Sequence, residues 1–176
     1  VEVPFKRPEE FAEDESTDLE VFRHALDWLA KNEGYTPEIV VQLRPTCPIR
    51  EISTIDAAIQ TFVDHSHADS LRSVHLAEQT PFKMWLREDG GLMNPVVNVG
   101  DGPESSNLPR QALPMVYWQN GYIDITRPQI ILGQNSMIGK RIMPFVVDEE
   151  IVDIDYEEAL TKSESILSDV DESRQT

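Results

Sequence analysis

Ile39-Val40-Val41-Gln42-Leu43-Arg44-Pro45-Thr46-Cys47-Pro48-Ile49-Arg50 decides how this chain reads. A short, β-branched apolar run is the composition of a strand buried in a parallel sheet. The two prolines that follow stiffen the connection, because a fixed φ lowers the entropy cost of holding a loop still. A buried strand ending in such a loop projects side chains at the carboxyl edge of the sheet, where open α/β folds bind ligands. Arg44 and Arg50 are therefore candidates for anionic groups; a structural loop with surface arginines fits the same residues equally well. Cys47 reads as a small packed side chain, since no histidine nearby in sequence would activate a thiolate.

Upstream, Thr17 and Glu20 have the spacing of a capping box, and Leu19, Phe22, Leu26 and Leu29 recur behind it at helical spacing. Gly34 and Pro37 end that helix. Downstream, Ser53 and Asp56 open a second helix with Ile55, Ile59, Phe62 and Val63 on one face. Residues 70–76 and 82–86 read as strands, the latter closed by a turn at Asp89-Gly90-Gly91. Residues 98–109 are rich in Gly, Pro, Ser and Asn, a loop long enough to carry function. Residues 115–125 read as a long strand with Gly121 inside it. Pro128 starts a short helix that Gly133 stops. Residues 141–147 form a further strand, and Val152-Asp153-Ile154-Asp155 leads into a last helix before a polar tail over 168–176. Strands alternating with helices predict an α/β sandwich with a mostly parallel sheet, one domain over 1–167, and an inserted or dimer-forming element at 115–141.

The chain has 176 residues, 40% hydrophobic, enough for the core of one ordinary domain. Lys+Arg is 15 and Asp+Glu is 32, a formal net charge of −17, which argues against nucleic acid or anionic membranes as partners. A single cysteine excludes an intrachain disulfide and a cysteine-built metal site, and fits a reducing, cytoplasmic setting. No apolar run approaches the roughly 18 residues of a membrane helix. The opening Val1-Glu2-Val3-Pro4-Phe5 lacks an initiator methionine and a signal-peptide pattern, so the chain reads as a piece cut inside a domain.

Asp153 and Asp155 are the sharpest chemical pair. In an extended segment, residues i and i+2 share a face, and two carboxylates that close suit a hard divalent cation such as Mg²⁺. The same spacing fits a helix cap at Asp155 beside a solvated Asp153. Arg110, between Pro109 and Pro114, and Lys83, beside Phe82 and Trp85, are further candidate cations; each alone is more often solvated. His24, His65, His67 and His75 show no convincing metal-ligand spacing.

Four stretches in order resemble the acylneuraminate cytidylyltransferase family, which includes the CMP-sialic acid synthetases. They are Val3-Pro4-Phe5-Lys6-Arg7-Pro8-Glu9-Glu10-Phe11-Ala12, then Leu43-Arg44-Pro45-Thr46-Cys47-Pro48-Ile49-Arg50, then Pro109-Arg110-Gln111-Ala112-Leu113-Pro114 with Gln119-Asn120-Gly121-Tyr122-Ile123-Asp124, and finally Val152-Asp153-Ile154-Asp155 followed by a helix. The resemblance implies a Rossmann-like, nucleotide-diphospho-sugar transferase sheet whose first βα unit is missing, and a homodimer. It implies transfer of CMP from CTP to a nine-carbon sialic or legionaminic-type acid with release of pyrophosphate, dependent on Mg²⁺. By position, Asp153 and Asp155 match the metal-binding catalytic pair, and Arg7 an arginine near the nucleotide. The 44–50 loop, with Arg44, Thr46 and Arg50, matches the segment shaping the sugar site. Lys83 and Arg110 resemble cations facing the acidic substrate, and Asn120 and Asp124 lie in the third motif.

The chain departs from the family where Arg44 replaces glutamine, Cys47 serine, Asp18 a small hydroxyl residue and Asp124 a tyrosine. These bear on the identity of the sugar more than on the reaction. Lacking the family's opening nucleotide-binding strand and loop, the chain alone is expected to bind CTP weakly and to turn over nothing. Alternative readings are a Kdo-activating or guanylyl-transferring relative, a non-catalytic dimerising remnant, and a Mg²⁺-dependent phosphatase.

Overall fold

The computed structural model describes residues 2–99, 103–149, 151, 152, 154, 157, 159–161 and 163–166. Helix α1 (Asp18–Glu33) begins at the expected capping box: the Glu20 carboxylate accepts from the Thr17 amide and hydroxyl, each at 2.9 Å. These hydrogen bonds hold the Glu20 pKa below its ordinary value. Gly34, at φ 63°, closes the helix in the left-handed conformation that glycine adopts without Cβ strain. Strand β1 (Val40–Gln42) follows. Helix α2 (Ile52–Asp64) starts one residue before Ser53, with Glu51 at the cap position and no side-chain cap bond. The expected Ser53 cap is thus corrected: Thr54 and Ile55 amides already bond to the Glu51 carbonyl, so the first turn closes ahead of Ser53.

Strands β2 (Ser70–Leu76), β5 (Tyr117–Thr126) and β6 (Ile142–Val146) complete a four-stranded sheet in the order β1-β5-β2-β6, and β3 (Trp85–Arg87) pairs with β4 (Met93–Pro95) as a hairpin. The sheet is mixed rather than mostly parallel. β5 runs antiparallel to β1, with Val40 opposite Thr126, Val41 opposite Ile125 and Gln42 opposite Asp124. A β-branched apolar run reports burial on both faces but carries no information on strand direction, which is why its composition misled. The strand expected over 82–86 is borne out only at its end, in β3 from Trp85; its first residues form a 3₁₀ turn, Pro81–Lys83, because proline lacks the ladder donor and suits a helical first position. Gly90 and Gly91, at φ 113° and 85°, make the hairpin turn where Asp89-Gly90-Gly91 predicted it. Helix α3 (Pro128–Gln134) starts at the expected proline but runs through Gly133 and ends at left-handed Asn135.

The chain divides into two compact units, Val1–Ser73 with Asn120–Thr176, and Val74–Gln119. In the first, Phe62, Leu71, Tyr122, Ile123, Ile125, Ala58 and Cys47 form one buried cluster, with Val41, Ile55, Ile59 and Phe145 packed against it. Each large apolar side chain so buried contributes about 1.5–3 kcal/mol. Of the stretch assigned a dimer-forming role, Tyr122, Ile123 and Ile125 belong to this cluster and Ile130 and Ile131 are buried as well, while Met115, Tyr117 and Trp118 in the second unit are exposed.

Two further charged groups tie the first unit together. Arg127 donates from Nε to the Ala68 carbonyl at 2.9 Å and from Nη2 to the Phe62 and His65 carbonyls, closing the end of α2. The buried Asp69 carboxylate accepts from the Lys140 and Arg141 amides at 2.9 and 3.0 Å and from the Arg141 guanidinium at 2.7 Å. The Arg141 bonds, with the Lys140 amide, hold its carboxyl well below the usual carboxylate range. No described helix is long and apolar enough to cross a membrane.

Candidate functional site

The end of β1 opens into a cleft of about 390 Å³ in the first unit, lined by Asp18, Phe22, Gln42, Arg44 and Thr46 among others. Its charges are organised by the antiparallel register. Gln42 faces Asp124 across the ladder, and Arg44, two residues on, brings Nη2 to 3.5 Å from Asp124 Oδ2. Arg44 Nη1 lies 3.3 Å from Asp18 Oδ2, which also accepts from Gln42 Nε2 at 2.8 Å. On its other side Asp124, 3% exposed, meets Arg72 Nε at 3.8 Å. Two arginines and two aspartates thus form one chain of alternating charge, from buried Arg72 to half-exposed Asp18. Arg72 further donates to the Leu71 carbonyl, Thr126 Oγ1 and the Met137 carbonyl. Burial pulls the Arg72 pKa below its ordinary value, and Asp124 opposes that pull.

The 44–50 loop is held from below. Arg50 donates from Nε to the Tyr122 carbonyl at 2.7 Å and from Nη2 to the Arg44 carbonyl at 2.8 Å, so it braces the loop. Tyr122 carries the same bracing outward: its hydroxyl accepts from the Glu51 amide at 2.6 Å and donates to Glu149 at 2.7 Å. Burial and the Glu149 carboxylate push the Tyr122 pKa up to about 12. Thr46 is exposed, and its carbonyl accepts from the Ile154 amide at 2.7 Å. Ile154 is the residue between Asp153 and Asp155, which themselves lie outside the described residues. Asn120 is buried at 6% exposure; its Oδ1 accepts from the Tyr122 amide at 3.2 Å, and its Nδ2 has no hydrogen-bond partner among the described residues.

Arg7 is exposed, on a segment whose Phe5 packs on His24 and Trp28 of α1 at ring separations of 5.3 and 5.1 Å. In the second unit Lys83 is exposed, and Arg110 donates to the Glu78 carbonyl at 2.7 Å beside a cleft of about 260 Å³. The first unit therefore brings together Arg44, Thr46, Arg50 and Asp124, with Ile154 alongside. Arg72 was missed. The one available signal was an arginine inside an otherwise buried strand, where a charge needs a partner from elsewhere in the chain. Among the described residues no three His, Cys, Asp or Glu side chains are grouped to hold an ion.

No family model matches the chain. Its sequence is similar to the post-translational flagellin modification protein B of Campylobacter coli, 27% identical over 161 residues. The aligned region covers 89% of this chain and spans 64% of the length of that relative.

Proposed function

We propose that this protein activates a nine-carbon sialic or legionaminic-type acid with CTP, giving the CMP-sugar and pyrophosphate. The observation that carries the reading is the meeting of three sequence-distant motifs. The Thr46 carbonyl takes the amide of Ile154, between the two aspartates, and Arg44 pairs with Asp124 of the third motif. A relative that modifies flagellin after translation fits a chain that supplies an activated sugar for transfer to protein.

In the proposed reaction the anomeric hydroxyl oxygen bonds to the α-phosphorus of CTP, the bond to the β-phosphate oxygen breaks, and the hydroxyl proton is released with pyrophosphate. Both substrates are anions, so positioning and charge compensation make up most of the catalysis. Arg44 offers a cation at the cleft, and Arg50 holds its backbone in place. Asp153 and Asp155 carry hard carboxylate oxygens, the donor chemistry Mg²⁺ takes; when bound it would neutralise phosphate charge.

The test is pyrophosphate release by the full-length gene product from CTP with N-acetylneuraminate, legionaminate or Kdo, with and without Mg²⁺. We expect release with a nine-carbon acid, and its loss in Asp153→Ala. Release with none of the acids, or undiminished release in the variant, would overturn the reading.

A further inference from the structure

The anion-facing cation of the cleft already holds an anion of the chain's own. Arg44 bridges two carboxylates that differ in kind. Asp124 is buried between two guanidinium groups and fixed by the sheet. Asp18 sits on the first turn of α1 with its side chain 49% exposed, reaching Arg44 Nη1 at 3.3 Å and Gln42 Nε2 at 2.8 Å. An incoming carboxylate or phosphate oxygen at this cleft needs the donors that Asp18 occupies, the outer face of the Arg44 fork and the Gln42 amide. It also meets Asp18 as a like charge. A carboxylate so placed acts on any anion entering the cleft through both displacement and repulsion, whereas a neutral group meets neither.

We propose that Asp18 is a specificity-determining residue that competes with the ligand's anionic group for Arg44 and Gln42, weakening anion binding at the cleft and hastening release. Only the choice of anion, a sugar carboxylate, rests on the proposed function; the competition itself rests on the geometry. The exchange is one of ion-pair partners and involves no covalent step. Withdrawal of the Asp18 side chain leaves the start of α1 intact, because the capping box is made by Thr17 and Glu20 and does not involve it.

The experiment measures dissociation constants by calorimetry for N-acetylneuraminate, its methyl ester and inorganic phosphate, using the full-length gene product, Asp18→Asn and Asp18→Ser. An exposed ion pair's coupling sets the scale, so both variants should bind the two anions about twofold to fivefold tighter, with the ester unchanged. The gain should shrink as salt rises. Circular dichroism confirms that α1 is retained, and Asp18→Ser guards against a loss peculiar to asparagine. Weaker binding of acid and ester alike would make Asp18 a scaffold for Arg44 and overturn the proposal, as would unchanged affinity for both anions. The proposed function fails separately: phosphate binding that tightens in the variants while no protein binds the sugar acid leaves the competition standing and removes the sugar.

Discussion

Replacing Asp124 with asparagine changes charge at nearly constant volume, so it isolates what the buried carboxylate does. Asp124 lies 3.8 Å from Arg72 Nε and 3.5 Å from Arg44 Nη2, and is 3% exposed. Without it, Arg72 keeps its bonds to the Leu71 and Met137 carbonyls but has no neutralising charge at that end among the described residues. Breaking a buried pair by removing one partner costs about 3–5 kcal/mol, because the survivor stays buried. The half-exposed Arg44 arm adds about 0.2–1 kcal/mol at most. Against a typical domain stability of about 5–15 kcal/mol, a loss of that size is large. Urea unfolding near neutral pH, followed by far-ultraviolet circular dichroism, should show the midpoint falling sharply with little change in slope. Arg72→Met in the same background removes the orphaned charge and should restore part of the loss, so the two substitutions are non-additive. A loss below about 1 kcal/mol for Asp124→Asn, or strict additivity with Arg72→Met, would refute the argument that this pair is a mutually dependent buried unit.

Tyr122→Phe removes the hydroxyl between the Glu51 amide and Glu149; both residues are exposed, so water can replace the lost partner and the cost is about 0.5–1.5 kcal/mol by thermal or urea unfolding. It should also alter the alkaline limb. The folded state keeps the phenol proton up to about 12 while the unfolded chain releases it near 10.0, so this contribution is full below 10.0 and lost as pH rises toward 12. The tyrosine protein should lose stability more steeply over that window than the phenylalanine variant; parallel curves would count against the assignment. Gly139→Ala places a Cβ 2.6 Å from Asp69 Cβ in a backbone at φ +66°. The left-handed conformation alone costs about 1–2 kcal/mol, and displacement of the Lys140 and Arg141 amides from Asp69 adds to it. A melting temperature unchanged from the parent would show that the turn relaxes freely.

The parts of the fold legible in the sequence are those set by neighbours within a few residues. The Thr17–Glu20 box, the glycine that closes α1, the Gly90-Gly91 turn and the proline that opens α3 each answer a local demand for a donor, an acceptor or a permitted φ. They therefore stand where spacing placed them. The apolar periodicity of α1 and α2 and the burial of Cys47 follow in the same way. Ser53 and Gly133 show the limit of that reasoning, since a better-placed carbonyl or a left-handed asparagine nearby moved each boundary by one or two residues. Motif order likewise put Arg44, Thr46, Arg50 and Asp124 among the substrate-binding candidates, beside Arg7, Lys83, Arg110 and Asn120, without saying which of them meet.

The tertiary structure alone decided the direction of β5, and with it nearly every role at the cleft. Antiparallel pairing sets Asp124 opposite Gln42, within reach of Arg44, 80 residues away in the chain. Arg50 turns inward to two carbonyls although its sequence context matches that of a surface cation. Arg72 is buried although its residue type predicts exposure. A side chain's charge is local information, but its partner, burial and usable face depend on which strand the chain lays beside it, and short-range preference carries no term for that.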